Sequence, residues 1–529
     1  MPRFHVGPVD LAVVVAYVIG VRVVLGWYFV KKTRGGGADA YFLAGRSIRW
    51  PVVGLSFYVA NLSGGSFVAL PGSGYHDGVA VYNYEWLPAI LLIAFATFVL
   101  PVFRRADVYT APEYLERRFS RGSRLAFSAF TLLTSVMVDA AASLYAGGTI
   151  VRALYPAVPF WLTVAVTSGV AGVYIAAGGL GAVVLNDVLQ ASMVMGGGIL
   201  VTVLALQAAP SWEAVRAAAP PDGLHLFRSP ADPTMPWPGL FTGVLVIGFY
   251  FWCTNQFIIQ RALGTRTLEE ARWGSLLAGL LKLPNLFILI LPGLVARTLY
   301  PDLRDPDLVF PTLAFDLLPV GLRGLLLAAV AAAILSSLEA IFNSAATLFT
   351  MDFVRTRRPD TSDDALAKMG RLSTLGMMVL AAIWTPQIQR FPTLWQYLQS
   401  ILSYLTPPVV AVFALGLFWR RATARAAFVT LVVGVPIGAA GFVANELLGL
   451  VSIQYLYASG VLFAASVAAV TILSLLGRPP LPEKTEHAWS PAQWRADSRA
   501  LARTPLYANF RVLALALLGA TAAVVFFWR

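Results

Sequence analysis

Residues 59–66 read Val59-Ala60-Asn61-Leu62-Ser63-Gly64-Gly65-Ser66. They sit in the middle of an apolar run, about 52–75, that is long enough to cross a bilayer as a helix. A Gly-Gly pair with small polar neighbours at that depth predicts an interrupted helix, because glycine is a poor helix former and a break frees backbone groups that then need partners. Small residues also let two helices pack closely, and that alternative stays open at this point.

Similar apolar runs recur along the whole chain. About fourteen are predicted to span: 9–30, 52–75, 81–102, 124–153, 158–176, 183–208, 239–259, 274–298, 320–350, 371–386, 395–418, 423–446, 451–476 and 507–528. The composition agrees. Of 529 residues 58% are hydrophobic and only 12% charged, with a mean hydropathy of +0.71, whereas soluble domains are about a quarter charged. The fold class is therefore an all-α polytopic membrane protein, one membrane domain over residues 1–529.

The net charge of +12 does not point to nucleic acid, because basic residues gather in the cytoplasmic loops of membrane proteins. With the N-terminus outside, alternate loops fit that rule. The first expected cytoplasmic loop holds Lys31, Lys32, Arg34, Arg46 and Arg49; the second holds Arg104, Arg105, Arg117, Arg118, Arg121 and Arg124. The opposite loop 299–319 instead carries Asp302, Asp305, Asp307 and Asp316. A miscount by one run would invert the pattern downstream. Both termini are thus expected outside the cytoplasm, in a plasma or inner membrane, and no cleavable signal peptide is expected.

Several function classes are excluded. Cys253 is the one cysteine, and His5, His76, His225 and His487 are scattered without metal-ligand spacing. Walker and kinase motifs are absent, so no enzymatic role is expected and the energy must come from a gradient. Spans two to six and seven to eleven form two sets of five of similar length, about 52–208 and 239–418, with extra helices at 9–30, 423–446, 451–476 and 507–528. That is the pattern of an inverted repeat.

Polar residues inside the runs carry the chemistry. Glu85, Asp139, Asp187, Lys282 and Glu339 are ionisable groups within spans, where charges persist when paired or when they line a wet cavity. Carbonyls freed at the 59–66 break are hard oxygen ligands for a cation such as Na+, and the adjacent hydroxyls of Ser336 and Ser337 are of the same kind. The bland reading of that serine pair is back-bonding to its own helix. Glu85, between Tyr84 and Trp86, suits a sugar: the carboxylate accepts hydroxyl protons and the rings cover the apolar ring face. Lys282 is a donor, and Gln399 both donor and acceptor. A structural ion pair between Glu85 and Lys282 is the alternative.

Together these pieces resemble the sodium/solute symporter family, in its sodium/glucose cotransporter branch, over about residues 8–480. The matching stretches are Phe42-Leu43-Ala44-Gly45-Arg46, Ala177-Gly178-Gly179-Leu180 followed by Asp187, Trp252-Cys253-Thr254, Phe342-Asn343-Ser344-Ala345, Leu348-Phe349-Thr350-Met351-Asp352 and Ser403-Tyr404-Leu405-Thr406-Pro407-Pro408. The resemblance implies a LeuT-type 5+5 inverted-repeat core and alternating access around a midplane site. It implies a sodium site at the carbonyls of Val59, Leu62 and Ala333 and the hydroxyls of Ser336 and Ser337. It implies a sugar site at Asn61, Glu85, Trp252, Lys282 and Gln399, with Phe251 and Tyr145 as aromatic gates.

Some positions depart from the family pattern. Ser66 stands where His or Gln is common, and Gly248 replaces a pocket Asn or Thr; both are expected to enlarge the site. Glu339 and Ala340 stand where two-sodium members carry hydroxyls, so Asp187 and Glu339 form a candidate second cation or proton site, with one sodium per sugar expected. The expected activity is sodium-coupled symport of a neutral hexose such as glucose or galactose. The alternatives are symport of a polyol (an inositol) or a sugar acid and, from another class, a non-transporting sugar sensor, for which the tail after 476 is short.

Overall fold

The computed structural model describes residues 7–17, 20, 48–62, 65–108, 110–155, 157–176 and 183–529. Their backbone is helical almost throughout, and two isolated bridges, Ile48 with Thr265 and Arg228 with Pro236, are the extended pairings among them. Helix falls on each of the fourteen predicted runs, though of 9–30 little beyond Pro8–Tyr17 is described. Residues 42–46 and 177–180 lie outside the described residues.

The elements that build the site are α1 (Trp50–Asn61), α2 (Ser66–Asp77), α3 (Asn83–Ala94), α4 (Arg121–Leu154), α5 (Val183–Ala208), α6 (Leu240–Thr254), α7 (Leu268–Lys282), α8 (Leu322–Arg355), α9 (Leu394–Leu405) and α10 (Pro407–Phe418). Side-chain hydroxyls start several of them: Ser120 accepts from Ser123 N ahead of α4, Thr267 from Glu270 N ahead of α7 and Thr393 from Gln396 N ahead of α9. Seven continuous helices among the described residues are long and apolar enough to cross a membrane, or nine if two bent pairs each count as one. Breaks lower that number. α9 and α10 meet at 56°, where Pro407 and Pro408 supply no amide donor to continue the ladder.

Two elements fix the geometry around the break. α7 packs along α1 and α3, and α8 packs against α4 and α5. At one end Arg121 donates to the Thr356 carbonyl at 2.9 Å, and Arg124 pairs with Asp352 at 2.6 Å and with Glu116 at 2.7 Å. The start of α4 therefore lies at the end of α8, and the two helices run antiparallel. At the opposite end Gly78, at φ +76°, turns the chain between α2 and α3; an ideal Cβ there would stand 2.2 Å from the Gly223 carbonyl oxygen. Only glycine allows that turn with the 209–238 segment lying so close.

Candidate substrate and cation site

α1 ends at Asn61, Leu62 leaves helical geometry at φ −91°, ψ 72°, and α2 begins at Ser66. The interruption expected from residues 59–66 is present, with Ser63 and Gly64 themselves outside the described residues. Ser66 Oγ donates to the Asn61 carbonyl at 3.3 Å, across the gap. Val59, Asn61, Leu62 and Ser66 all border a cavity that the break opens into.

Glu85, in the first turn of α3, is 1% exposed and borders the same cavity. Lys282 Nζ donates to its Oε2 at 2.5 Å, and Asn285 Nδ2 donates to that same oxygen at 2.5 Å. Tyr58 OH in turn donates to Asn285 Oδ1 at 2.8 Å. The ion pair entertained from the sequence is therefore formed. Lys282, fully buried, stands behind Glu85 and off the cavity wall. Oε1 accepts from no described residue. The wall thus presents a carboxylate oxygen whose charge is already balanced from behind.

Three more predicted residues meet there. Gln399 on α9 borders the cavity, and its Oε1 is buried with no hydrogen-bond partner among the described residues. A buried amide oxygen without a partner is costly unless a ligand satisfies it. Trp252 and Phe251 close α6 with their rings 5.1 Å apart, edge to face, and both border the cavity. On α8, Ser336 and Ser337 border it too, across from the broken end of α1. Ala333, one turn earlier, is buried and off the wall.

Other expectations need correction. Tyr145 does not border the cavity. Six residues beyond Asp139 on α4, it lies nearer the 299–319 loop, where its hydroxyl donates to Asp307 Oδ2 at 3.0 Å and its ring leans on Phe160. Asp307 also accepts from the Leu394 amide at 2.9 Å. Burial, then the charge of Asp305, push the Asp307 carboxyl well above the usual carboxylate range. Gly248 borders the cavity without enlarging it there, because Leu91 occupies the space its Cβ would take, at 2.4 Å. The Asp187 side chain lies outside the described residues, so the structure does not describe an Asp187–Glu339 pair. Glu339 is half-buried, engaged by other groups and off the cavity wall. Asn285 was missed from the sequence, although Lys282 and Asn285 at i, i+3 share one helix face.

A family model described as the sodium:solute symporter family matches residues 41–434. The chain belongs to the sodium:solute symporter family. It is a sodium-coupled solute symporter of the membrane, not an enzyme. The symporter is 34% identical to the sodium/glucose cotransporter 4 of Danio rerio, over 91% of this chain and 80% of that one. It is 36% identical to the sodium/myo-inositol cotransporter 2 of Oryctolagus cuniculus, over 92% and 79%. Among solved structures, a Na+-coupled sialic acid symporter superposes with a TM-score of 0.74 at 24% identity, over 89% of this chain and 99% of that one. That likeness speaks for the fold, and the symporter has the LeuT-type fold the resemblance implied.

Proposed function

We propose that the solute is a neutral polyhydroxyl ring, a hexose such as glucose or galactose, carried by alternating access. The observation that carries this reading is Glu85: Lys282 and Asn285 both bind Oε2 and leave Oε1 facing the cavity. A balanced acceptor suits hydroxyl donors. A sugar acid would bring a second negative charge to it, which counts against that alternative. Gln399 Oε1 supplies another acceptor, and Trp252 a flat apolar face. Asn61, Ser66 and Phe251 complete the wall. Sodium is assigned to the carbonyls of Val59, Leu62 and Ala333 and the hydroxyls of Ser336 and Ser337. Residues 52–208 and 239–418 are assigned as the two repeats, and both termini to the outer side of a plasma or inner membrane.

The second reading is an inositol. It is favoured by the similarity to a sodium/myo-inositol cotransporter at 36% identity, and an inositol offers a comparable ring of hydroxyls. Nothing favours a non-transporting sensor. Counterflow into proteoliposomes tests these readings, with labelled hexoses, myo-inositol and a sugar acid, each in sodium and in choline. Hexose counterflow in sodium alone is expected. Stronger counterflow of myo-inositol would put the second reading in place of the first. Counterflow of the sugar acid alone would remove Glu85 from the substrate site.

A further inference from the structure

Asp139 is an ionisable residue within a crossing helix that the sugar site does not use. It lies on α4 and borders the same cavity as Ser336 and Ser337 on α8. The antiparallel ends of these helices are tied by Arg121 to the Thr356 carbonyl and by Arg124 to Asp352. From that shared end, Asp139 is eighteen residues along α4 from Arg121, and Ser337 is eighteen residues back along α8 from Arg355. At 1.5 Å per residue, both stand about 27 Å from it. The carboxylate and the two hydroxyls therefore meet the cavity at one depth, from adjacent packed helices.

The Asp139 carboxylate has no hydrogen-bond or ion-pair partner among the described residues; the side-chain bond to this residue, from Ser143 Oγ at 2.9 Å, goes to its backbone carbonyl. Arg261 borders the same cavity, but its Nε donates to Ser56 Oγ at 2.7 Å. A carboxylate in a poorly solvated place is stable beside a compensating cation or with a proton of its own, and in sodium the ion can supply that charge. The hydroxyls of Ser336 and Ser337, which border the cavity with it, supply hard oxygens but no charge. A sodium ion at Ser336 and Ser337 needs what Asp139 has, and Asp139 needs what the ion has.

We propose that Asp139 is the counter-charge of the transported sodium, binding the same ion as the Ser336 and Ser337 hydroxyls. The proposal rests on the assignment of sodium to those two serines. It adds no second ion. The loaded site is then neutral and the empty site carries one negative charge.

Equilibrium binding of radioactive sodium to the purified full-length protein, without sugar, tests it. Asp139→Asn should weaken sodium affinity at least tenfold, a floor for the loss of one unit charge acting within several ångströms in a protein-like medium, and Asp139→Glu should recover part of the loss. Sodium affinity within twofold of the native protein in Asp139→Asn would overturn the proposal. Ser336→Ala is measured in parallel. If it binds sodium normally while Asp139→Asn does not, the serine assignment fails and Asp139 remains a sodium group. A measurement on the native protein covers a variant that does not fold: a hydrophobic carbodiimide should modify Asp139, read by mass spectrometry, and sodium but not choline should protect it. Labelling at Asp139 that sodium leaves unchanged would equally overturn the idea.

Discussion

Glu85 has two neighbours that ask opposite things of it. Lys282 and Asn285 hold Oε2 from behind, and the cavity faces Oε1. Structure and function therefore separate in a double variant. Glu85→Ala alone leaves the fully buried Lys282 uncompensated, a loss of about 3–5 kcal/mol for breaking a buried pair. Glu85→Ala with Lys282→Met removes both charges, Met being close to Lys in volume, and should regain part of that stability, less the cost of the cavity at Ala. Sugar affinity should stay low in both, because the acceptor is gone. Thermal unfolding and sugar binding are measured side by side; sugar binding that returns with stability in the double variant would make Glu85 a purely structural residue.

At the scale of elements, a buried carboxyl joins helices at the end of the bundle away from the Arg121–Thr356 contact. Asp307 joins α4 through Tyr145 and α9 through the Leu394 amide. Beside it, Ser73 on α2 and Thr393 ahead of α9 share a hydrogen bond of 3.1 Å. The raised Asp307 carboxyl makes stability depend on pH. At low pH both folded and unfolded chains carry its proton, and burial costs nothing extra. Once pH passes the ordinary value of 3.8 the unfolded chain releases that proton first. Stability then falls as pH rises towards the folded value. Asp307→Asn keeps an acceptor and lacks the proton. The native melting temperature, relative to that of Asp307→Asn, should therefore fall from about pH 4 upward. A difference that stays flat with pH would show that Asp307 is ionised in the fold.

For the whole molecule the question is how much work the ion does. One sodium per sugar is expected. One charge falling through 100 mV contributes about 2.3 kcal/mol, and a tenfold sodium ratio about 1.4 kcal/mol more. Together they support roughly 500-fold accumulation. Reversal potentials on proteoliposomes report the coupled charge, and one per sugar is the expected value. Two charges per sugar, with the second lost in Glu339→Ala, would establish a second sodium site and defeat the one-sodium reading.

The sequence by itself determined the architecture and much of the site. An apolar run of twenty residues folds as a helix in lipid because a helix satisfies its own backbone, and the recurrence of such runs makes a membrane protein that is helical almost throughout its described residues. The break expected within residues 59–66 lies between Asn61 and Ser66; polarity within the runs singled out Glu85, Gln399, Ser336 and Ser337, the resemblance added Trp252, and the fold brings all five to one cavity. Only the tertiary structure decided which polar residues meet across helices. Tyr145 is turned to Asp307 by its height along α4, Leu91 fills the space beside Gly248, and Lys282 stands behind Glu85. Asn285 and Asp139 gain their meaning in the same way. Spacing along a chain gives the depth and face of a side chain on its own helix. Its partner is set by how that helix is rotated and shifted against the next, which depends on packing between segments hundreds of residues apart.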